Sequence, residues 1–271
     1  MRLSSTIASL FAPILFTVFG LFGTASATAA TITLTDSFTY SGIFTGASPL
    51  SNTWTRISGS GDLTDDALRA PDVKFSSNYL QIQRNVVLQR QLGTGATIAG
   101  DFTLSATVSF SDYGAGKQLW FGIFDADGTH GYVAHFNSQT SGGGVVRLKE
   151  FDVASPGELT YNLSGTNLTT SAASSGLTSA VDTSARLSLV WSAADQKLTL
   201  LVNGTAISSL SGISIAGAPV SEFSYLYIGG NTGAQFSDIE LTGVPQIPEP
   251  TPAALPAIGS ILLIAGSRWI R

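Results

Sequence analysis

The sequence predicts an all-β fold, a two-sheet antiparallel sandwich spanning residues 31–244. Apolar and polar residues alternate with a period of two in one segment after another, and turn residues separate the segments. No amphipathic helix of respectable length interrupts them. Many short strands without helices favour two packed sheets, with a closed barrel as the alternative.

The middle of this domain has four segments with strand patterns. Residues 102–110 alternate strictly, which is typical of a strand with one face in the core and one in water. Residues 119–124 are apolar except for Gly122, which indicates a strand buried on both faces. Residues 132–136 and 145–151 are predicted to be its neighbours.

Two strands joined by a turn, and then a tight hairpin, follow. Residues 186–191 and 197–202 alternate, and the turn residues 192–196 join them. Asn203-Gly204 then predicts a tight hairpin, because both central residues of such a turn need positive φ. Residues 205–207 begin the returning strand of this hairpin.

Three parts of the pattern resemble the concanavalin A-like jelly roll of legume lectins, laminin G-like modules, pentraxins and some glycosidases. Gly-Asp-Phe-Thr-Leu at 100–104 opens an amphipathic strand, and the unit at 186–204 ends in Asn-Gly. In the third part, closing strands at 224–228 and 236–241 lie around Gly229-Gly230-Asn231. The resemblance implies a jelly-roll sandwich of the kind that lectins use.

The N-terminus has the order of a secretory signal peptide, predicted over residues 1–29. Arg2 precedes a mostly apolar stretch at 7–22, and small residues follow at 23–30. This order directs export, and cleavage is expected at Ala27 or Ala29 in the two Ala-x-Ala sites. An uncleaved membrane anchor is the alternative.

The C-terminus carries a small and apolar run at 253–266 behind a proline-rich linker at 245–252. The run is shorter than the roughly 17–25 residues of a typical transmembrane helix. Arg268 and Arg271 favour the cytoplasmic side for its far end. We therefore predict a short transmembrane helix within the tail 253–271, with the preceding domain on the outer side of the membrane.

Pro248-Glu249-Pro250, the apolar run and the basic end formed by Arg268 and Arg271 together resemble the PEP-CTERM sorting signal. The resemblance implies a Gram-negative host that makes exopolysaccharide, recognition by a membrane-embedded exosortase, and cleavage near the Pro-Glu-Pro motif. Pro256 inside the apolar run and Trp269-Ile270 between the arginines depart from that pattern. An ordinary anchor behind a proline-rich linker is the alternative.

Composition limits the partners and the chemistry of the chain. Only 11% of the residues are charged, and the absence of cysteine excludes disulfides and thiolate catalysis. Removal of the two ends takes away Arg2, Glu249, Arg268 and Arg271, which leaves ten basic and seventeen acidic side chains. With a net charge near −7 and no basic run, nucleic acid and anionic membrane surfaces are not expected partners.

Catalytic patterns are sparse, and we predict no catalytic residue and no enzymatic activity. Jelly-roll glucanases carry Glu-x-Asp-x-Glu on one strand, so that three carboxylates share a face. This chain has only the shorter Asp125-Ala126-Asp127, Glu150-Phe151-Asp152 and Asp238-Ile239-Glu240. His130 and His135 are five residues apart, so on a strand they point to opposite faces and are not expected to share a metal.

Asp125 and Asp127 are the candidate metal ligands. Together with Gly128 they could hold Ca²⁺, which takes carboxylate oxygens from tight loops. Asp and Gly are also ordinary hairpin residues, so a plain turn between two strands is the alternative.

Tyr225 and Tyr227 are the candidate residues for ligand binding. They share a strand face opposite Leu226 and Ile228, so they could form an exposed aromatic strip that stacks on sugar rings. An aromatic pair packed beneath a loop is the alternative.

These observations predict an exported protein of the cell surface or extracellular matrix, with a non-catalytic jelly-roll domain that associates with carbohydrate or exopolysaccharide. Its expected partners are the export machinery, an exosortase and polysaccharide, and its tail holds it in the membrane until processing. A purely structural or adhesive surface protein, or a glycoside hydrolase-like enzyme, are the alternatives.

Overall fold

The computed structural model describes residues 32–38, 42–44, 54–59, 73–76, 78–93, 96–111, 116–138, 144–161, 165–169, 173–174, 184–217 and 219–245. The predicted signal peptide, the sorting motif and the predicted transmembrane tail lie outside these ranges. Within the ranges, no helix has the length and apolar character needed to cross a membrane.

The described part of the chain consists almost entirely of strands. Its only helical elements are the 3₁₀ turns Pro156–Glu158 and Ser208–Leu210. The strands, in chain order, are β1 (Ile32–Asp36), β2 (Gly42–Phe44), β3 (Thr55–Gly59), β4 (Val73–Ser76), β5 (Tyr79–Ile82), β6 (Val86–Gln91), β7 (Ile98–Phe110), β8 (Gln118–Phe124), β9 (His130–Ser138), β10 (Gly144–Asp152), β11 (Thr166–Asn167), β12 (Ala173–Ser174), β13 (Ala185–Ser192), β14 (Lys197–Val202), β15 (Thr205–Ala206), β16 (Ile213–Ser214), β17 (Tyr225–Gly230) and β18 (Ala234–Pro245).

These strands form two antiparallel sheets. In the ten-stranded sheet the order is β15-β14-β13-β7-β18-β5-β4-β2, with β1 beside β18 and β16 beside β14. In the eight-stranded sheet the order is β11-β10-β9-β8-β17-β6-β3, with β12 beside β10. The fold is therefore the predicted jelly-roll sandwich. The alternative of a closed barrel is excluded, because no strand belongs to both sheets in the described residues.

The main core lies between the sheets and follows from the period-two patterns. On β7 and β8 every second side chain turns inward and is buried, because successive side chains of a strand point to opposite faces. These inward residues include Leu104, Ala106, Val108, Leu119, Phe121 and Ile123. The predicted strands at 102–110, 119–124, 132–136 and 145–151 all lie within β7, β8, β9 and β10.

A second buried cluster covers the opposite, outer face of the eight-stranded sheet. Its residues come from alternate positions of the same strands and include Trp120, Phe124 and Tyr227. The segment after β10 packs against this face through Leu159, whose carbonyl accepts a hydrogen bond from the Ser58 hydroxyl. This second layer is why β8 is buried on both faces, as its continuous apolar run predicts.

Two turns match their sequence signals, and one glycine pair does not. Asn203 and Gly204 have φ of 51° and 78°, which confirms the tight hairpin between β14 and β15. Gly229 and Gly230, predicted as part of a turn, instead end β17 and are wrong as turn residues. A Cβ on Gly229 would lie 2.4 Å from the indole of Trp120, so this glycine permits a close approach inside the sheet.

The first six strands have weak sequence signals and were not predicted as separate elements. One buried carboxylate ties this region together: the Asp36 side chain accepts hydrogen bonds from the Phe38 amide at 2.9 Å and from Trp54 Nε1 at 2.8 Å. It also pairs with the Arg90 guanidinium at 2.9 Å, which lies over the Trp54 ring. Asp36 ends β1 of one sheet and Arg90 belongs to β6 of the other, so this cluster joins the two sheets.

Replacement of Asp36 by asparagine should destabilise the fold strongly. Asp36→Asn removes the charge that neutralises the partly buried Arg90 and sets an amide N–H among groups that are themselves donors. We expect the free energy of unfolding to fall by about 3 kcal/mol in urea titrations, as for other broken buried ion pairs. The control Glu240→Gln removes an exposed pair with Arg186 and should cost less than about 1 kcal/mol. Equal losses in the two variants would contradict the role of Asp36.

Candidate functional site

A polar cleft opens at one end of the sandwich, where β9 begins and β10 ends. His130 Nε2 lies 2.9 Å from Glu150 Oε1, and about three quarters of each side chain is buried. Asp152 is directly opposite His130 in the strand register. The cleft has a volume of about 600 Å³ and is completed by Phe151, Val153, Gly165, Thr166 and Ala216.

A smaller side hollow of about 280 Å³ adjoins the cleft and shares His130 with it. Its walls are the turn after β8, with Asp125 and Asp127, and the segment before β17, with Glu222. The His130 side chain therefore lies at the boundary between the two spaces. Both are open to solvent at this end of the sandwich, and the lining combines the ends of β9 and β10 with the neighbouring loops.

Tyr132 supports the cleft from inside the core. It lies two residues after His130 on the same face of β9, and its ring stacks on Trp191 of the other sheet at 5.7 Å. Its hydroxyl accepts a hydrogen bond from the Val220 amide at 3.0 Å, which anchors the wall that carries Glu222. Burial, with a smaller effect of the Glu150 charge, raises the pKa of Tyr132 to about 12.

The turn at 125–129 is built as a hairpin turn. Asp125 Oδ1 accepts hydrogen bonds from the amides of Thr129 at 2.9 Å and His130 at 3.3 Å, so this oxygen closes the turn. Asp127 is exposed at the tip. In the described ranges no three metal-ligating side chains gather at one place. The expectation that Asp125 and Asp127 bind Ca²⁺ therefore stays a prediction.

Tyr225 and Tyr227 do not form the exposed strip that was expected of them. They do share one face of β17, opposite Leu226 and Ile228, but Tyr227 is completely buried and Tyr225 is half-buried. The Tyr227 hydroxyl donates to the Gly128 carbonyl at 3.1 Å and accepts from the Gln89 amide at 2.6 Å. Tyr227 thus packs beneath the acidic turn and supports it. Burial is the main reason that its pKa is raised.

The other carboxylate pair, Asp238 and Glu240, lies away from the cleft. Both side chains are exposed, and Glu240 pairs with Arg186 at 2.8 Å. Asp238 has a φ of 48° where the register between β18 and β7 shifts, which is typical of a bulge. This pair is explained by solvation of an outer strand face.

His135 lies on the outer face of its sheet, opposite to the face of His130, as the five-residue spacing predicts. It is 3% exposed, and its Nε2 is 3.2 Å from Gln118 Oε1. Burial, with smaller effects of the Lys149 and Arg147 charges, lowers the pKa of His135 to about 3. The ring is therefore neutral at neutral pH, and it belongs to the packing of the sheet.

Both ends of the described chain leave the sandwich at the end where the cleft opens. Ile32, the first residue of β1, pairs with Gly243, and Pro245 at the end of β18 pairs with Ile98. Ile98 bridges to Phe223, whose ring is 6.0 Å from that of Tyr132. The predicted linker, whose first residue is Pro245, consequently begins at the cleft end of the sandwich.

The pairing of His130 with Glu150 was missed from the sequence, where the two residues were weighed separately. Strand parity was the available signal, because both residues have inward positions at the same end of adjacent strands. The register that places Asp152 opposite His130 depends on the length of the connection between β9 and β10, and the sequence pattern does not determine it.

No family model matches this chain, and no curated protein does. Among solved structures it is similar to a sialidase from Trypanosoma rangeli, with 15% identity and a TM-score of 0.42 over 73% of this chain. It spans only 30% of that sialidase.

Two smaller domains are also similar to this chain over most of their own length. The carbohydrate-binding module CBM66 from Bacillus subtilis has 15% identity and a TM-score of 0.41, with 73% of this chain and 98% of the module covered. The Emp46p carbohydrate recognition domain, in its potassium-bound form, has 12% identity and a TM-score of 0.42, with 71% and 88% covered. At these TM-scores the likeness assigns neither an activity nor a ligand to this chain.

His135 should make the fold sensitive to acid. The pKa of His135 is lowered on folding, so its contribution to stability is complete above pH 6.5. This contribution is lost as the pH falls towards 3, because the unfolded chain then binds a proton that the folded chain does not. Over this window the free energy of unfolding should fall by about 1.4 kcal/mol per pH unit in urea titrations. His135→Gln should remove that part of the slope, whereas His130→Gln should keep it. An unchanged slope in His135→Gln would contradict the prediction.

Proposed function

We propose that this chain is an exported protein of the cell surface or extracellular matrix, and that its jelly-roll domain binds carbohydrate without catalysing a reaction. The observation that carries the binding part is the cleft at the end of the sandwich. It is open, it measures about 600 Å³, and paired polar side chains on two rigid strands line it.

The cleft has groups suited to a polyhydroxylated ligand. Glu150 and Asp152 accept hydrogen bonds, His130 can donate or accept, and the Thr166 hydroxyl does both. Its volume falls within the range of about 300–1,000 Å³ that is common for small-ligand sites. Because β9 and β10 pair along their whole length, ligand binding does not have to order these residues first.

The export part of the proposal is supported by the two chain ends. The order of charged, apolar and small residues at 1–29 is that of a signal peptide, and the tail resembles the PEP-CTERM signal through Pro248-Glu249-Pro250, Arg268 and Arg271. Exosortase cleavage near the motif would then release the domain from its membrane-held tail. Since β18 ends beside the cleft, the domain would be held with its cleft end towards the membrane until processing.

Processing can be tested in a Gram-negative host with and without an exosortase. We expect the full chain to lose its tail only when the exosortase is present, as measured by mass spectrometry of fractionated cells. Simultaneous Pro248→Ala, Glu249→Ala and Pro250→Ala changes should leave the protein at full length in the membrane. The control Pro252→Ala keeps the motif and should be processed. Tail loss without exosortase, or equal processing of both variants, would reject the sorting proposal.

Binding can be tested with the exported protein on a glycan array, with and without calcium. We expect binding to at least one class of glycan, weakened about tenfold by Glu150→Gln, which corresponds to about 1.4 kcal/mol. The control Glu240→Gln lies outside the cleft and should bind like the wild type. Loss of binding on chelation would direct the next variants to Asp125 and Asp127.

Three results would count against this function or against this site. A folded protein that binds nothing on the array would favour the purely structural or adhesive alternative. Glycan cleavage that requires Glu150 would reveal an enzyme. Binding that Tyr225→Ala abolishes while Glu150→Gln leaves it intact would move the site to the outer face of β17.

A further inference from the structure

The charged side chains that line the cleft and the side hollow are almost all acidic. Five carboxylates line the two spaces, and no lysine or arginine is among the described lining residues. The carboxylates belong to Asp125, Asp127, Glu150, Asp152 and Glu222. The two spaces share His130, so a ligand that extends from one into the other would pass along these carboxylates.

The one basic side chain among the described lining residues, that of His130, does not offset the carboxylates. His130 pairs with Glu150 at 2.9 Å, so even when protonated it is neutralised by the group next to it. Lys149 precedes Glu150 on β10, but successive residues of a strand point to opposite faces, and Lys149 lies on the outer face of the sheet. Three of the remaining carboxylates, those of Asp127, Asp152 and Glu222, are exposed and can meet a ligand directly.

We infer that the cleft selects its glycan by charge: it binds sugars that carry primary amines, such as deacetylated hexosamine polymers, in preference to neutral sugars, and it excludes sugars that carry carboxylates or sulfates. This inference rests on the proposed carbohydrate-binding function. An ammonium group forms charge-assisted hydrogen bonds with carboxylates, which are stronger than bonds between neutral groups. A uronate would meet the same carboxylates with like charge and without a cation to pair with.

The expected strength of the preference follows from the exposure of the site. One pair of opposite charges at about 4 Å changes an affinity about fivefold in water, and salt screens the pair. The preference should therefore be near fivefold at low salt, and it should decrease at high salt. A preference based on shape alone would not change with salt.

The test compares three tetrasaccharides by titration calorimetry with the exported full chain: tetra-glucosamine, tetra-N-acetylglucosamine and tetra-galacturonate. We expect tetra-glucosamine to bind about fivefold more tightly than its acetylated counterpart at low salt. This ratio should fall below about threefold at about 0.5 M salt, where the Debye length is only a few Å. Tetra-galacturonate should not bind, with or without added calcium.

Variants that remove charge without changing size locate the effect. Asp152→Asn and Glu222→Gln alter exposed side chains, so the fold should tolerate them. Each should lower the preference, measured as the affinity for tetra-glucosamine divided by the affinity for tetra-N-acetylglucosamine, by about threefold. The control Glu240→Gln, an exposed carboxylate outside the cleft, should retain the full preference.

Failures of this inference and of the proposed function give different results. If the neutral tetramer binds as tightly as tetra-glucosamine, or if the ratio of the two affinities does not change with salt, the inference of charge selection is wrong. The proposal that the domain binds carbohydrate is then unaffected. Preferential binding of tetra-galacturonate also overturns the inference alone. If neither these tetramers nor any glycan on the array binds, the proposed function fails, and the inference fails with it.

Discussion

The packing of Tyr132 between Trp191 and Phe223 is the contact on which the cleft end of the molecule depends. Tyr132 belongs to the eight-stranded sheet and Trp191 to the ten-stranded sheet, and Phe223 lies in the segment that crosses between them. Three large rings at this point hold the sheets at a constant separation. The Tyr132 hydroxyl also bonds the Val220 amide, so the same side chain places the wall of the cleft. His130 and Glu150 lie next to this packed base, each about three quarters buried, and line the cleft.

The second buried layer changes the role of several aromatic residues. Jelly-roll sheets with an uncovered outer face expose their aromatic side chains, but here Trp120, Phe124 and Tyr227 are packed under the segment after β10 and against one another. The Tyr227 hydroxyl accepts a hydrogen bond from Gln89 and donates one to the Gly128 carbonyl. Its buried position stabilises the turn that carries Asp125 and Asp127. In the described residues these aromatic side chains are covered, whereas the polar residues at the strand ends line an open cleft.

Strand patterns predicted well wherever an element obeys a local rule. The period-two segments from 102 to 151 and from 186 to 202 became β7 to β10, β13 and β14, because alternation reports directly on which face of a strand is buried. Asn203-Gly204 formed its turn because positive φ is a property of those two residues alone. The first six strands were not predicted from the sequence. Their stability comes from long-range partners such as the pairing of Asp36 with Arg90, which leaves no local pattern.

The candidate site was predicted only in its parts. The spacing of the two histidines placed them on opposite faces, and the Asp125–Gly128 segment was recognised as turn chemistry. Glu150 and Asp152 are two residues apart and so share a strand face, but the sequence pattern did not indicate that they lie beside His130. Tyr225 and Tyr227 were assigned to one face correctly, but the exposure of that face depends on what packs over it. The local sequence pattern of β17 does not show which segment packs over that face.

By itself the sequence determined the all-β character of the domain, its tight hairpin and the face that each side chain of the recognised strands occupies, because these depend on the residue and its immediate neighbours. The tertiary structure decided which faces are covered, which strand ends meet and where the carboxylates gather. Those outcomes depend on the register between strands far apart in the chain and on the packing of one sheet against the other. The cleft around His130 is therefore a feature of the tertiary structure and is not visible in the sequence pattern.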